Sequence, residues 1–453
     1  MLRCSLYRLR LRLATFARPT RMPKSFSGRD TAALEALEAE TLAPYATRSA
    51  DATRRYVLVD SGRTLSYRTA FQRDRDRILH SLAFRRLKHK TQVYVPYEGD
   101  HHRTRLTHTL EVAQLSRTIA RALGLNEDLV EATALGHDLG QPPFGAAGRE
   151  ILAAILAGTE HLEAIDAPVL AASGGFRPNY QSLRVVDRLE QRYDHPGLNL
   201  TDAVREGIWK RAPLDESLAY PDWVDEGLAP GATALLEGQV VQLADRLARL
   251  THDLEDGIRA GQVSLRATER LEIGATVVNK LGDSYQTRQG RFGRQNALIR
   301  GMIHLLVSDT VVESAGALAS DPGAPGEVIK LSPQVNDMAD ELESFVEAQV
   351  YRSFTVSRLD ARARNFLRGL FAAYYRDPLQ LDNYVLLRYR TMFGGTYLRD
   401  LPADRVSAEV GARYHGKPGF VRLIADHIAG MSDSFALKEY QRLYVPFADA
   451  ERH

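Results

Sequence analysis

Residues 103–145 read RTRLTHTLEVAQLSRTIARALGLNEDLVEATALGHDLGQPPFG, and the fold is decided on them. Leu106, Leu110, Ala113, Ile119 and Leu123 recur at helical spacing, which predicts one amphipathic helix over 105–124. Asn126 has the chemistry of an N-cap, with Leu125 and Val130 in staple positions on either side. The second helix then runs through Leu129, Ala132 and Leu135 to about Leu139, where Gly140 and Pro142-Pro143 stop it.

Working outward, the same period continues. A long helix is expected from near Pro230-Gly231 to Gly261, carrying Leu236, Val240, Leu243, Leu247, Leu250 and Leu254. Residues 334–382 and 416–445 also read as helical. Strand signals are few: residues 56–68, YVLVDSGRTLSYR, suggest a hairpin about Ser61-Gly62. The expected class is therefore mostly α. It comprises a helical core over 30–314, a Gly/Pro-rich loop at 315–331, and a C-terminal helical region over 332–453 packing on that core.

The chain has 453 residues, 44% hydrophobic and 26% charged, the balance of a globular protein able to bury a core without staples. Its single cysteine, Cys4, excludes an internal disulfide and Cys-rich zinc modules, so a reducing cytoplasm is expected. No uninterrupted apolar run reaches the length of a membrane span, and no membrane partner is expected. The formal charge is +2, but residues 1–29 hold eight bases and no acid. That segment reads as a basic arm, as a targeting segment, or as residues upstream of a true start at Met22; the last reading is preferred. The remainder, with 51 bases against 57 acids, gives no bulk-charge argument for nucleic-acid binding. The stretch GARYHGKPGFVR (411–422) offers Arg413, Lys417 and Arg422 to phosphate, though a solvated loop is the simpler expectation.

One constellation carries chemistry. His137-Asp138 is preceded by His108 and followed by Asp245, each on a separate helix-like segment. Adjacent helical residues point about 100° apart, so both reach one ion only if it sits over the groove between them. Two imidazoles and two carboxylates suit Mn, Fe, Co, Ni or Zn, with Mg a weaker fit, and leave positions open for water and phosphate oxygen. Spacing alone leaves a hydrogen-bonded structural role equally open; a second His-Asp pair, His252-Asp253, and His101-His102 occur in the same chain. Arg105, three residues before His108, shares its helical face and offers a bidentate guanidinium, while Arg246 and Lys90 are further cations nearby.

Context adds to the constellation. The segments FQRDRDRILHSLAFRRLKHKTQVYV (71–95), NYQSLRVVDRLE (179–190), GLNLTDAVREGI (197–208), EGQVVQLADRLARLTHDLEDG (237–257) and RLIADHIAGMSDSFALKEY (422–440) accompany the two helices quoted first. Together they resemble the HD-domain deoxynucleoside triphosphate triphosphohydrolases, the dGTPase family, from about Tyr45 to Tyr440 and in the family's order. The resemblance implies a helical fold, one divalent ion per subunit with manganese the first expectation, and His108, His137, Asp138 and Asp245 as its ligands. It implies hydrolysis of a dNTP to the deoxynucleoside and tripolyphosphate, Arg105 at the α-phosphate, and Gln92 and Asp253 near the sugar 3′-hydroxyl. It also implies a homo-oligomer and, in some members, activation by nucleotides or single-stranded DNA.

The departures from that resemblance concern protons. Where the family carries two histidines and an acid after the His-Asp pair, this chain has Gln141, Ala146 and Arg149. A family histidine stands as Pro178, and a family tyrosine as Arg249. Positioned acid–base groups contribute on the order of 10²–10⁴ in rate each. Gln141 can orient a water; Glu150 and His161 are the remaining candidates for proton work. Three readings follow: a phosphohydrolase with re-routed proton chemistry or altered substrate, a metal-containing nucleotide or single-stranded DNA binding regulator, and a degenerate structural subunit.

Overall fold

The computed structural model describes residues 28–57, 67–92, 103–162, 165–212, 228–229, 231–287, 290–321 and 326–445. Among them the regular structure is helical, with only three isolated β-bridges: Arg54–Thr201, Thr91–Thr104 and Leu162–Ile165. The expected hairpin falls largely on residues 58–66, outside the described residues, as does the basic segment up to residue 27. The helices that place the site are α1 (Ala70–Leu79), α2 (Arg105–Ala122), α3 (Glu127–Gly136), α4 (Gly145–Leu156), α5 (Pro178–Arg184) and α6 (Asp202–Trp209). They continue with α7 (Leu236–Arg259), α8 (Gly290–Ser320), α9 (Pro333–Val346), α10 (Phe354–Arg376), α11 (Pro418–Ala429) and α12 (Asp433–Tyr444).

Local chemistry sets the ends of the central pair. Thr104 caps α2, its hydroxyl accepting from the Thr107 N–H while the Thr107 hydroxyl accepts from the Thr104 N–H. Asn126 caps α3 by accepting from the N–H groups of Asp128 and Leu129, and Glu127 and Asp128 complement the helix dipole. The buried face of α2 is carried by Val112, Ala113, Leu115 and Ile119; Leu110, expected in that stripe, is 49% exposed. Residues such as Val112 and Ile119, fully enclosed, stabilise the fold by about 1.5–3 kcal/mol each relative to exposure.

Three apolar clusters form the interior. The first joins α1, α2, α3, α6 and the first half of α7, the second joins α4 to α10 and α11, and the third joins the end of α7 to α8 and α9. Two expected boundaries move. The long helix α7 begins at Leu236, because Leu235 before it is extended. Residues 315–320 are helical, since α8 continues to Ser320; after it Val328 and Ile329 pack into the first cluster and Leu331 into the third. By length and composition α8 also qualifies as a membrane-crossing helix, although its Leu298, Met302, Leu306 and Leu318 are buried in these clusters. Arg422 lies buried in α11 against Asp426 and the Gly175 carbonyl, so it is no surface phosphate contact.

Candidate metal centre and cleft

The site is assembled where α2, the end of α3 and α7 meet. The α2 cap fixes the first turn, so Arg105 and His108 emerge one above the other, both buried. The α-helix α3 stops at Gly136, so His137 and Asp138 sit in the turn that follows rather than within the helix. That turn is clamped by α5: the Ser182 hydroxyl accepts from the Gly140 N–H at 2.9 Å and donates to the His137 carbonyl at 2.8 Å. A Cβ on Gly140 would stand 2.1 Å from the Ser182 nitrogen, so only glycine admits this approach.

Four donors converge. His108 Nε2 lies 2.9 Å from Asp245 Oδ1, and His137 Nε2 lies 3.5 Å from Asp138 Oδ1 and 3.6 Å from Asp245 Oδ1. The His137 Nδ1–H donates to the Ala134 carbonyl at 2.6 Å, which turns Nε2 into the site, where it is buried without a hydrogen-bond partner. Ligand atoms of His108, His137 and Asp138 all fall within 4.8 Å of one another. An orphaned imidazole nitrogen facing two carboxylates and a second imidazole fits a divalent ion of the borderline class. The electrostatics agree. Burial would lower the His137 pKa, but Asp138 and Asp245 outweigh it and raise it. Burial likewise opposes the charge on Asp138 and Asp245, yet their histidine partners, joined at Asp138 by Arg105 and Arg211, hold both carboxyls well below the usual range. The cluster favours positive charge at its centre.

Around the donors lies a supporting layer. Arg105 Nη1 donates to Asp138 Oδ2 at 2.7 Å, and Gln141 Nε2 donates to Asp138 Oδ1 at 3.1 Å. Arg211, which the sequence reading did not single out, lies 3.3 Å from Asp138 Oδ1 and 3.4 Å from Asp245 Oδ2. It follows α6 in an aperiodic turn, so no spacing signal marks it. His108, Asp138 and Asp245 border a cleft of about 1650 Å³, with His137 buried behind them, and the cleft's walls draw on all three apolar clusters.

The remaining candidates separate within that cleft. Gln92 lines it, with Oε1 buried and unpartnered. Asp253 lines it too; its Oδ2 accepts from the Tyr351 hydroxyl, its Oδ1 has no partner, and burial pushes its carboxyl up to about 6. Arg246 is taken up by Asn336 at 2.9 Å, Glu343 at 3.3 Å and Asp340 on α9. Glu150 is at the cleft but paired with Arg364. His161 is exposed, offers only its carbonyl to Arg368, and is not among the cleft's lining residues. Lys90 is buried, donating to the carbonyls of Gln141 and Ala429; burial lowers its pKa to about 7, and it braces the turn rather than meeting phosphate.

The turn leading into α4 completes the wall. Phe144 adopts a left-handed conformation (φ 62°), held by its N–H donating to the buried Asp433 carboxylate at 2.9 Å. Asp433 also accepts from the Thr91 N–H and hydroxyl, so α12 ties this turn to the segment that carries Gln92.

Comparison with known proteins gives a consistent picture. A family profile described as "HD domain" matches residues 105–250, a span that contains all four donors. A second, "Phosphohydrolase-associated domain", matches residues 329–394 and 395–442. The chain is 38% identical over 412 residues to a deoxyguanosinetriphosphate triphosphohydrolase-like protein of Nitrosomonas europaea, covering 89% of this chain and 98% of that one. A protein of the same description from Thiobacillus denitrificans is 38% identical over 413 residues, with coverages of 89% and 98%. One from Geobacter sulfurreducens is 34% identical over 424 residues, with coverages of 91% and 98%.

Proposed function

The chain belongs to the HD-domain deoxyguanosinetriphosphate triphosphohydrolase-like family, and from that premise we propose that its cleft hydrolyses deoxynucleoside triphosphates to deoxynucleoside and tripolyphosphate. The observation that carries this reading is the unpartnered His137 Nε2, facing His108, Asp138 and Asp245 at the foot of an arginine-lined cleft. A divalent ion held by those four residues, manganese by expectation, would polarise a phosphate oxygen and lower the pKa of a bound water.

The chain's own residues supply the rest. Arg105 and Arg211 flank the donor set and present N–H groups where anionic oxygens would lie. The open Oδ1 of Asp253 and Oε1 of Gln92 are acceptors suited to a sugar hydroxyl. Gln141, fixed by its bond to Asp138, orients a water without deprotonating it. Cleavage at the α-phosphate adds water to phosphorus and releases the 5′-oxygen, which needs a proton.

That last need supports a second reading. Gln141, Ala146 and Pro178 line the cleft and transfer no proton, Glu150 is engaged by Arg364, and His161 lies elsewhere. A regulator that binds nucleotide or single-stranded DNA through the metal centre without turnover satisfies these observations as well. Cytoplasmic location, self-association and activation by nucleotide or single-stranded DNA belong to the same proposal. The test is incubation of the purified chain with each dNTP, singly and in mixtures, in Mn²⁺, with detection of tripolyphosphate and deoxynucleoside. Turnover lost in His137→Ala and Asp138→Ala supports the hydrolase; saturable binding without product supports the regulator.

A further inference from the structure

Helix α7 runs unbroken from Leu236 to Arg259 and carries Asp245, Arg249 and Asp253 four residues apart. That spacing sets the three side chains in a row on one face, about 6 Å from one to the next along the axis. All three line the cleft. Asp245 forms the metal end of the row, with His108 Nε2 2.9 Å from its Oδ1. Asp253, with its unpartnered Oδ1, forms the end proposed to meet the sugar.

Arg249 stands between them, half-buried, within electrostatic reach of both carboxylates. Its Nη2 donates to Glu343 Oε1 at 3.0 Å, and its other N–H groups make no hydrogen bond among the described residues. Glu343 steers the guanidinium without claiming it whole, because Arg246 Nε lies 3.3 Å from the same carboxylate. The neighbouring arginines are engaged: Arg105 pairs with Asp138, and Arg211 with Asp138 and Asp245.

In a nucleotide the 5′-oxygen lies between the α-phosphorus and the sugar. With the phosphate at the donor end and a sugar hydroxyl on Asp253, that oxygen falls over the middle of the row. It is also the atom that needs help, since breaking its bond to phosphorus leaves the electron pair on it. Gln141, Ala146 and Pro178 offer no acid, Glu150 is engaged by Arg364, and the Tyr351 hydroxyl is donated to Asp253. A guanidinium offers fixed positive charge and N–H donors for a developing alkoxide.

We propose that Arg249 is a catalytic residue that meets the 5′-oxygen of the bound nucleotide and stabilises it as it leaves. This rests on the reading of the cleft as a dNTP site, and it names the group that acts there in place of a proton donor. In the step, a water oxygen bonds to the α-phosphorus as the bond to the 5′-oxygen breaks. The electron pair stays on the 5′-oxygen, held by the Arg249 N–H groups. That oxygen then takes a proton from solvent, and the attacking water gives one up to solvent.

The first test needs no turnover. The full chain, with tripolyphosphate and Mn²⁺ in excess over it, is titrated calorimetrically with 2′-deoxyguanosine and with 2′,5′-dideoxyguanosine, which lacks only the 5′-oxygen. The wild type should bind the first about tenfold more tightly, and Arg249→Ala should bind the two alike. Where dNTPs are turned over, Arg249→Ala should also lower kcat by about 10²–10³, with KM changed by less than about threefold. Arg249→Lys, which keeps the charge, should recover part of both losses, and it carries the test if the alanine variant misfolds by circular dichroism. A preference for the 5′-oxygen that survives Arg249→Ala, or is absent from the wild type, overturns the inference. A chain without turnover that shows the preference and its loss keeps the contact and loses the hydrolase reading. A chain that turns over dNTPs with Arg249→Ala at the wild-type kcat keeps the hydrolase reading and loses Arg249. If the wild type binds neither nucleoside, both fall.

Discussion

The Nδ1 of His252 lies 3.4 Å from the Nδ1 of His108, and the two rings meet edge to face. With His108 Nε2 directed at the metal centre, its Nδ1 carries the proton and His252 Nδ1 accepts it. His252 Nε2 in turn lies against the Glu111 carboxylate, which Arg103 holds at 3.3 Å. Burial lowers the His252 pKa despite that carboxylate, which keeps the ring neutral and able to accept. His252→Ala is expected to weaken metal affinity by about 10–100-fold while leaving all four ligands in place. Manganese titration of the purified variant checks this, and an unchanged affinity would show that His252 is only packing.

Metal binding should stabilise the fold. The donor set holds two low-pKa carboxylates beside two imidazoles, and a cation there binds the folded chain far better than the unfolded one. At a free metal concentration of a hundred times Kd the gain is about 2.7 kcal/mol. Thermal denaturation with and without Mn²⁺ should show a rise in Tm for the wild type and none for His137→Ala, whose lost nitrogen is the one aimed into the site.

Glycine substitutions should act with opposite signs at two positions. A Cβ on Gly140 would overlap the α5 backbone at 2.1 Å, so Gly140→Ala should destabilise by about 1–3 kcal/mol and disturb the adjacent His137-Asp138 turn. Gly316, exposed within α8, has nothing within 4 Å of an added Cβ. There Gly→Ala should stabilise by about 0.5–1 kcal/mol through helix propensity. Urea unfolding of both variants, with metal content measured in parallel, separates the two effects.

The central helices were legible because their signals are local. The asparagine cap and the apolar periods act within a few residues of the helices they define, whereas α3 ends at Gly136, short of the expected end near Leu139 before the Gly-Pro-Pro stop. Spacing alone left His108, His137, Asp138 and Asp245 open between structural and metal-binding roles; the fold brings their side chains together. What stayed hidden depends on distant packing. Arg211 follows α6 in a turn without period, and Lys90 is buried by α11 residues more than three hundred positions away. Leu110 fits the stripe on paper but faces outward, because α7 and α3 cover a slightly rotated face of α2. Arg149 and Arg249 looked like two separate departures a hundred residues apart. Only the fold shows that they share one cleft.

Asp253 gives the pH dependence. Burial raises its carboxyl from 3.8 to about 6, against the opposing Tyr351 hydrogen bond. Between those values the folded chain holds a proton that the unfolded chain releases, so this group makes stability fall as pH rises from about 4 to about 6 and level off above. Asp253→Asn removes that slope, which denaturation across the window can read. The same ionisation governs the proposed sugar contact. Above about pH 6 the free Oδ1 is a charged acceptor for a hydroxyl; below it the acid is neutral and the hydrogen bond weaker. Nucleotide affinity in the wild type should therefore drop as pH falls through about 6, while Asp253→Asn binds more weakly at pH 7 and without this dependence. If the variant kept the wild-type pH profile, the titrating group would have to be another, and Asp253 would lose its place in the nucleotide contact.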